Sequence, residues 1–409
     1  MKKLTAFSLQ LAFVISTAQA SEAKKPFEAL VPLLEKLVAA SSDSADPKGV
    51  NTNQKIVETE LKKLGFATKL IPQPVKSVTS GDLLVGEIKG KNPKIVTMVM
   101  HADTVFPKST GFIKFARTGE RATGPGVIDN KGGIVVALHA LSQYLREQPQ
   151  PPFSIRVVVS PSEEVGSTGF LEAFAEYGKD SAVVLGFEPA LENGNIVTSR
   201  RGDRWYNISV EGVEAHAGRN HKKGANACHE LSIKIEKLQA LTDYSKDVSI
   251  SIGRMEGGKD KHAIVCGWAT AKLDVRFSDL KSRERILEKV EKILSQTYVK
   301  SFDGGIATKT TYTIVDDPKP FPADSKGQTL VAAYVKAASS LENRTVAHER
   351  SGGSADSNFM YRPGLIIIDG LGATGANMHR PDEVIDLPSL HTRAMATVEL
   401  LKQVPSVLD

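Results

Sequence analysis

The stretch Ile95-Val-Thr-Met-Val-Met-His101-Ala-Asp103 decides the fold of this 409-residue chain. Its first six residues, five of them apolar, indicate a buried strand, and a histidine and an aspartate stand at the end of it. Side chains two positions apart in an extended chain point to the same side, so His101 and Asp103 face one way. In open α/β sheets the ligand crevice lies outside the carboxyl ends of the strands. The stretch therefore predicts an α/β fold with a functional site at this strand end.

Four further polar residues stand in comparable places along the chain. They are Asp129 after the Gly124-Pro-Gly126 turn, Glu164 after the apolar residues 155–159, Glu188 after residues 182–185, and His379 in the glycine-rich loop beyond residues 365–368. Because carboxyl ends of neighbouring strands meet at one edge of a sheet, we expect these distant residues to converge with His101.

Carboxylates and imidazoles that converge in one crevice indicate a metal site. The set contains no cysteine, so it suits zinc and also manganese or cobalt. Asp129 alone fits a helix N-cap equally well, but with the other ligands it is predicted to bridge two ions, as in two-metal hydrolases. Glu163 and Glu164 follow a strand and point in different directions, so one carboxylate can bind metal while the other faces the substrate and supplies a general base; a solvated Glu-Glu pair is the alternative. Asp103 is predicted to accept the second ring N–H of His101; a surface His-x-Asp pair is the alternative.

The N-terminal segment and the net charge indicate where the protein acts and which partners are not expected. Residues 1–20 join a Lys2-Lys3 start, an apolar stretch and a small-x-small end, which is the pattern of a signal peptide too short to span a membrane. The mature chain is expected to begin near Ser21 and to be periplasmic or secreted. Removal of residues 1–20 lowers the formal net charge from +5 to +3, and a charge this small points neither to nucleic acid nor to an anionic membrane as a partner. No other apolar stretch reaches about 18 residues, so we expect no membrane anchor.

Element order predicts two domains, one inserted in the other. Strands and helices alternate up to about residue 200, which is typical of a sheet covered by helices on both faces. Residues 204–315 follow the β-α-β-β-α-β order of a ferredoxin-like unit. We therefore predict a mixed-sheet α/β catalytic domain over residues 21–203 and 316–409, with an inserted α+β lid domain at 204–315. Cys228 and Cys266 are too few for a disulfide-stapled fold; they pair or remain thiols.

Two segments have competing interpretations. Gly370-Leu-Gly-Ala-Thr-Gly375 matches a dinucleotide fingerprint, but Pro381 follows within six residues and leaves no clean helix start, so we reject that interpretation. Arg200 and Arg201 lie at the domain junction over the crevice, where recognition of a small anion, a solvated hinge and nucleic-acid binding are the three interpretations. The first suits this place better than the last.

Several segments together resemble one family of enzymes. His101-Ala-Asp103, the stretch from Gly124 to Gly133, Glu163-Glu164, Gly186-Phe-Glu188-Pro189 and His379 resemble the zinc aminoacylase and carboxypeptidase family of dinuclear-zinc exopeptidases, and within it secreted glutamate carboxypeptidases of the folate-hydrolysing type. The resemblance covers essentially the whole mature chain. It implies two zinc ions, one held by His101, Asp129 and Glu188 and the other by Asp129, Glu164 and His379. Glu163 would be the general base and Asp103 the outer partner of His101.

The resemblance extends to the predicted lid. Glu214-Ala-His216-Ala-Gly218 is similar to a family segment whose histidine stabilises the oxyanion in the partner subunit's active site, so a homodimer through the inserted domain is implied. Arg276, in Lys272-Leu-Asp-Val-Arg276, would bind the substrate carboxylate, and the Ser351-Gly-Gly353 turn would offer backbone N–H groups. Two positions depart from the family pattern: Ala263-Ile-Val-Cys266 replaces Asn-x-Ile-Pro, and Arg200-Arg201 replaces a small uncharged turn. The substrate is therefore left open, and Arg200 and Arg201 are candidates for recognising an acidic side chain.

The activity implied by this resemblance is zinc-dependent hydrolysis of an amide bond. A C-terminal amino acid, with glutamate as a candidate, would be released from a peptide or N-acyl conjugate. A deacylase or dipeptidase of the same family is the alternative within the enzyme class. A non-catalytic ligand-binding protein is the alternative outside it, and loss of Glu163 or of a metal ligand would have signalled that case; all six residues are present.

Overall fold

The computed structural model describes residues 25–75 and 78–408, and the predicted signal peptide at residues 1–20 lies outside them. The described strands are β1 (Ala67–Ile71), β2 (Leu83–Ile88), β3 (Asn92–His101), β4 (Ala116–Thr118), β5 (Arg121–Thr123), β6 (Phe153–Ser160), β7 (Ser181–Gly186), β8 (Ile196–Arg200), β9 (Gly202–Glu211), β10 (Ser249–Gly257), β11 (Trp268–Phe277), β12 (Lys309–Asp316), β13 (His348–Ser351), β14 (Ile366–Ile368), β15 (Gly375–Ala376) and β16 (Val384–Asp386). The described α-helices are α1 (Val31–Ala39), α2 (Pro47–Lys63), α3 (Lys131–Glu147), α4 (Leu171–Asp180), α5 (Ala227–Gln239), α6 (Leu280–Ser295), α7 (Gln328–Glu342), α8 (Asp356–Met360) and α9 (Ser389–Gln403).

In the described chain, the largest sheet has the order β1-β2-β6-β3-β7-β14. Strand β3 pairs in parallel with both β6 and β7, and β14 pairs in parallel with β7. Strand β2 pairs antiparallel with β1 on one side and with β6 on the other. The sheet is therefore mixed, and its four parallel strands, β6, β3, β7 and β14, end on the same side. This confirms the predicted mixed α/β class.

Helices cover this sheet on both faces because most residues of its central strands are apolar and buried on both sides. Met98 and Met100 belong to the same hydrophobic core as helices α1, α3 and α9, whereas Val99, which points to the other face, packs with Phe174 of α4 and Met360 of α8. The period-two alternation of a strand places neighbouring residues in the two cores. Complete burial of each such side chain contributes about 1.5–3 kcal/mol, so the strand ends that carry polar residues are held rigidly.

The segment between Gly202 and Asp316 forms a second sheet with the order β10-β11-β9-β12, antiparallel throughout, and carries helices α5 and α6. The predicted β-α-β-β-α-β element order is thus observed. On β9, Tyr206, Ile208 and Val210 are buried in the core of this segment, and the residues between them are exposed. The exact domain boundaries and the role as lid or dimerisation domain stay predictions.

Two smaller points from the sequence are also visible here. Cys228, at the start of α5, and Cys266 are joined by a disulfide, so of the two alternatives the structure has the pair. Gly375 begins strand β15 and not a helix, in agreement with rejection of the dinucleotide fingerprint. Within the described part of the chain, every helix is too short or too polar to cross a membrane.

Candidate metal centre

The carboxyl ends of β6, β3 and β7, which are neighbours in the sheet, converge as the sequence predicted. His101 is the last residue of β3 and is fully buried. Glu163 and Glu164 begin a one-turn 3₁₀ helix just beyond β6, and Glu188 lies two residues beyond β7. His379 reaches the same place from the loop between β15 and β16, with a left-handed backbone at φ 62°.

The five predicted ligands form two groups that share Asp129. The Nε2 atom of His101 lies 3.0 Å from Asp129 Oδ1 and 3.8 Å from Glu188 Oε1. The Nε2 atom of His379 lies 3.2 Å from Asp129 Oδ2 and 3.1 Å from Glu164 Oε2. Each oxygen of Asp129 thus faces a different histidine. Ligand atoms of His101, Asp129 and Glu164 all lie within 4.8 Å of one another, so the two groups adjoin at Asp129.

The loop that carries Asp129 is held by a carboxylate from outside the predicted set. Gly126 has φ 72°, and a Cβ there would lie 2.5 Å from Thr104 Cγ2, so only glycine fits the turn. Glu383 is buried and accepts the backbone N–H groups of Ile128 (2.9 Å), Asp129 (3.2 Å) and Gly126 (3.3 Å). Because Glu383 follows His379 by four residues, it ties the two ligand loops together.

Asp103 contacts more of the site than the sequence suggested. The Nδ1 atom of His101 lies 3.1 Å from the main-chain oxygen of Asp103 and 3.4 Å from its Oδ1. The carboxylate also accepts the backbone N–H groups of Glu163 (3.0 Å) and Glu164 (3.2 Å) and the hydroxyl of Ser44 (2.7 Å). Asp103 therefore orients both the histidine and the Glu163-Glu164 turn.

The charges in the centre strongly perturb one another. Burial and the charge of Asp129 raise the pKa of Glu164 to about 7, and burial raises the pKa of Glu188 to about 8 against the opposing charge of His101. Burial opposes ionisation of Asp129, but hydrogen bonds from His101 and His379 outweigh it and lower its pKa. Hydrogen bonds to Asp129 and Glu164 raise the pKa of His379 to about 10. Carboxylates crowded in this way are a favourable environment for cations.

Glu163 is separate from the ligand groups. Among the described residues, its carboxylate makes no ion pair with His101 or His379. Burial, followed by the charge of Glu188, raises its pKa well above the usual range, and the nearby carboxylate of Asp356 adds to this shift. A carboxyl group with a raised pKa beside a metal centre has the property expected of a general base that exchanges protons near neutrality.

The predicted substrate contacts lie where the inserted sheet meets the turn that follows β13. Arg276 on β11 donates from Nε to Asp274 (2.9 Å) and from Nη1 to the carbonyl oxygen of Gly352 (3.1 Å). This places the arginine beside the predicted glycine turn. The N–H of Gly353 donates to the Ser351 hydroxyl at 3.1 Å, so it is engaged inside the turn in this structure.

The two junction arginines have protein partners. Arg200 is buried and paired with Asp369 at 2.9 Å. Arg201 donates to the carbonyl oxygen of Asp247 at 2.8 Å and to the hydroxyl of Ser249 at 3.2 Å. Their predicted contact with an acidic substrate side chain stays a prediction.

His216 is exposed on the inserted segment, and in the described chain no hydrogen bond or ion pair joins it to the metal centre. Its Nδ1 atom accepts the N–H groups of Gly218 and Arg219, each at 3.2 Å, which leaves the ring proton on Nε2. His216 therefore presents an N–H donor to the outside of this segment.

Four supporting residues were not predicted from the sequence: Ser44, Asp356, Asp369 and Glu383. A signal existed for Asp369, because it directly follows the apolar strand β14, as His101 ends β3. Its Oδ1 atom accepts the N–H of Glu188 at 3.3 Å. Ser44, Asp356 and Glu383 lie in ordinary polar contexts, and only their contacts reveal their role.

Comparisons with known proteins agree with this geometry. The profile of peptidase family M20/M25/M40 matches residues 98–403. The chain is similar to carboxypeptidase G2 of Pseudomonas sp. strain RS-16, with 28% identity over 96% of this chain and 95% of that protein. Its fold is similar to that of the M20 family metallo-carboxypeptidase Sso-CP2 from Sulfolobus solfataricus, with a TM-score of 0.74, 18% identity, and coverage of 92% of this chain and 99% of that one.

A second similar structure is the YXEP protein of Bacillus subtilis, described as a dinuclear metal-binding peptidase from the M20 family. The TM-score is 0.64, with 16% identity and coverage of 93% of this chain and 99% of that one. The family match spans well over half of the sequence and includes all five predicted ligands. The predicted membership of a dinuclear-zinc exopeptidase family is confirmed: the chain belongs to peptidase family M20/M25/M40 and is a hydrolase of the metallopeptidase type.

Proposed function

We infer that this chain is a dinuclear-zinc carboxypeptidase that releases a C-terminal amino acid, with glutamate as the first candidate, from a peptide or N-acyl conjugate. The observation that carries this proposal is the pair of ligand groups around Asp129. His101 and Glu188 lie on one side of it and His379 and Glu164 on the other, with Glu163 alongside. The similarity to carboxypeptidase G2 supports the direction of cleavage.

The side chains present fit two divalent cations. All donors are imidazole nitrogens or carboxylate oxygens, a set that zinc accepts and that cobalt or manganese also tolerates. Within the described chain, Glu164 Oε1 is buried and has no hydrogen-bond partner, which suits an atom that would bind a cation. Bound zinc would polarise the scissile carbonyl and make a nucleophilic water available at neutral pH.

Side chains of the protein would transfer the proton and stabilise the oxyanion. Glu163 would take the proton of the attacking water and deliver it to the leaving amine. Asp103 holds Glu163 in place through its backbone N–H, so the base and the His101 ligand share one anchor. The Nε2–H of His216 is suited to donate to the developing oxyanion of a partner subunit, a contact worth about 3 kcal/mol.

Arg276 is proposed to bind the α-carboxylate of the substrate. Its guanidinium group lies beside Gly352, between the inserted segment and the turn at residues 351–353. Two of its donor nitrogens already contact Asp274 and Gly352, which fixes the orientation of the planar group. A fixed guanidinium fork suits bidentate recognition of a carboxylate. A free C-terminal carboxylate would therefore be required.

An exported homodimer completes the proposal. Residues 1–20 have the pattern of a signal peptide, and the Cys228–Cys266 disulfide is of the kind that persists in an oxidising compartment such as the periplasm. Dimerisation through the inserted segment would bring the exposed His216 to a second active site. Both statements can be tested on the purified mature protein.

The test is hydrolysis by the zinc-loaded mature protein of N-acyl amino acids and dipeptides, each offered with a free and an amidated C-terminus. We expect cleavage of the free acids alone. Equal cleavage of both forms would indicate a general amidase or deacylase, and binding without cleavage would indicate a binding protein.

The role of Glu163 is tested by Glu163→Gln. This variant should keep its zinc and lose about 10²-fold or more in kcat, because it spares the ligands and removes the base. Glu172→Gln, on the exposed surface of α4, is the matched control and should behave like wild type. More than about a tenth of wild-type kcat in Glu163→Gln, against the 10² expected for a general base, would contradict the assignment.

A further inference from the structure

Arg200 makes a buried ion pair at the end of strand β8. Its side chain is 7% exposed, and Asp369 is fully buried. The Arg200 Nε atom donates to Asp369 Oδ2 at 2.9 Å, and the hydroxyl of Ser357 donates to the same oxygen at 2.6 Å. Hydrogen bonds between charged groups are about twice as strong as neutral ones, so the position of Asp369 depends on Arg200.

The other oxygen of Asp369 reaches a predicted metal ligand. Asp369 Oδ1 accepts the backbone N–H of Glu188 at 3.3 Å and that of Gly370 at 2.7 Å. It packs so closely against the end of β7 that a Cβ on Gly186 would lie 2.1 Å from it. A shift of Asp369 would therefore move the backbone that carries Glu188.

The Nη1 nitrogen of Arg200 reaches the turn at residues 351–353, beside the proposed substrate-binding Arg276. Its Nη1 atom donates to the Ser351 hydroxyl at 3.1 Å and to the carbonyl oxygen of Gly353 at 3.0 Å. Arg276 contacts the same turn through Gly352. One guanidinium group thus joins the loop of a metal ligand to the turn beside the proposed carboxylate-binding arginine.

The backbone of Arg200 is also fixed. Its N–H donates to the carbonyl oxygen of Phe321 at 3.1 Å, and the Phe321 N–H donates back at 3.2 Å. Arg200 ends β8, just before the chain enters the inserted segment, and Phe321 lies just after the chain returns from it. The Arg200 side chain therefore extends from a backbone that is held by its paired hydrogen bonds with Phe321.

We propose that Arg200 is a positioning residue: through Asp369 it sets the Glu188 loop, and through Ser351 and Gly353 it sets the substrate turn at a fixed distance from that loop. The proposal rests on the proposed function for the role of Glu188 as a ligand. It gives Arg200 a role inside the protein, in place of direct contact with an acidic substrate side chain. Lysine cannot replace it, because one ammonium group cannot reach both partners in the same planar geometry.

The experiment measures zinc affinity at both sites, by chelator competition, in Arg200→Gln and Arg200→Lys. We expect a 10- to 100-fold loss at the site that uses Glu188, as for other residues that orient a ligand, while the second ion keeps its affinity. The kcat value should fall in both variants. Asp369→Asn should show the same selective loss, and adding it to Arg200→Gln should cause little further change, because both act through one contact.

The matched control is Arg204→Gln. Arg204 lies four residues further along, in strand β9, and pairs with Glu291 of α6 (3.0 Å) and with Asp317 on the returning chain (2.7 Å), whereas Asp369 pairs with Arg200. It should lower thermal stability without selective loss of zinc. Arg200→Lys keeps the charge and guards against failure to fold in Arg200→Gln.

Wild-type zinc affinity in both Arg200 variants, or the same zinc loss in Arg204→Gln, would overturn the inference and leave the proposed function standing. A wild-type protein that binds zinc but cleaves none of the tested substrates would defeat the proposed function, while the affinity measurements would still decide the role of Arg200. A wild-type protein that binds no zinc would defeat both.

Discussion

Asp103→Asn is the substitution that most directly tests how the centre is assembled. The carboxylate accepts the N–H of Glu163 on Oδ1, and the N–H of Glu164 and the hydroxyl of Ser44 on Oδ2. Asparagine keeps the size of the side chain but replaces one oxygen with an NH₂ donor. In either orientation of the amide, one of the two backbone N–H groups would face another donor.

The expected loss of activity follows from that single mismatched hydrogen bond. A hydrogen bond to a charged group contributes about 1.5–3 kcal/mol, and about 1.4 kcal/mol corresponds to a factor of ten. We expect kcat/KM to fall by about 10- to 100-fold because Glu163 loses its fixed orientation. Zinc affinity should fall by a similar factor, because outer contacts of ligands typically contribute about 10- to 100-fold.

The assay combines steady-state kinetics with chelator competition on the zinc-loaded protein. Ser44→Ala is the control: it removes one partner of Asp103 but leaves the carboxylate and its backbone contacts to Glu163 and Glu164, so its losses should be smaller than those of Asp103→Asn. Wild-type kinetics and zinc affinity in Asp103→Asn would refute the reasoning. Equal losses in Ser44→Ala and Asp103→Asn would show that the hydroxyl, and not the backbone contacts, carries the effect.

Two further predictions concern metal content and acid stability. Asp129→Ala should release both zinc ions on dialysis, whereas His379→Ala should release one; equal stoichiometry in the two variants would contradict a bridging role for Asp129. Burial, with the charges of His391 and Arg146, lowers the pKa of His139 to about 4 from its ordinary value of 6.5. As the pH falls below 6.5 the unfolded chain binds this proton first, so the native state should lose stability progressively down to about pH 4. The loss is at most about 3 kcal/mol, reduced by partial exposure of the ring. In His139→Gln the urea unfolding midpoint should depend less on pH between about 4 and 6.5 than it does in wild type. The same dependence on pH in both proteins would contradict the argument.

Strand chemistry made much of the site predictable. His101 and Glu188 stand directly after apolar runs, and the rule that ligands gather at the carboxyl ends of parallel strands places them together without any coordinates. Glu163 and Glu164 follow from the same rule after β6. The element order of the inserted segment was likewise readable, because hydrophobic periodicity is a local property.

Contacts between distant loops were not predictable in this way. Glu383 accepts three N–H groups of the Asp129 loop from more than 250 positions away. Asp103 binds the backbone of Glu163 and Glu164, and Cys228 reaches Cys266 across 38 positions. Spacing along the chain does not encode which hydrogen-bond donors an acceptor will meet, since that depends on how the loops pack.

The sequence by itself determined the class of fold and predicted the candidate metal ligands and the candidate base, because these predictions depend on residue types placed at strand ends. Only the tertiary structure decided how they are held: Asp129 between two histidines, Asp103 beneath the Glu163-Glu164 turn, and Arg200 turned inward to Asp369. An arginine at a junction has the same local pattern whether it faces solvent, substrate or a buried carboxylate. The choice is made by burial, because a buried charge requires a partner, and the partner here is Asp369, which directly follows strand β14 and is 169 residues away.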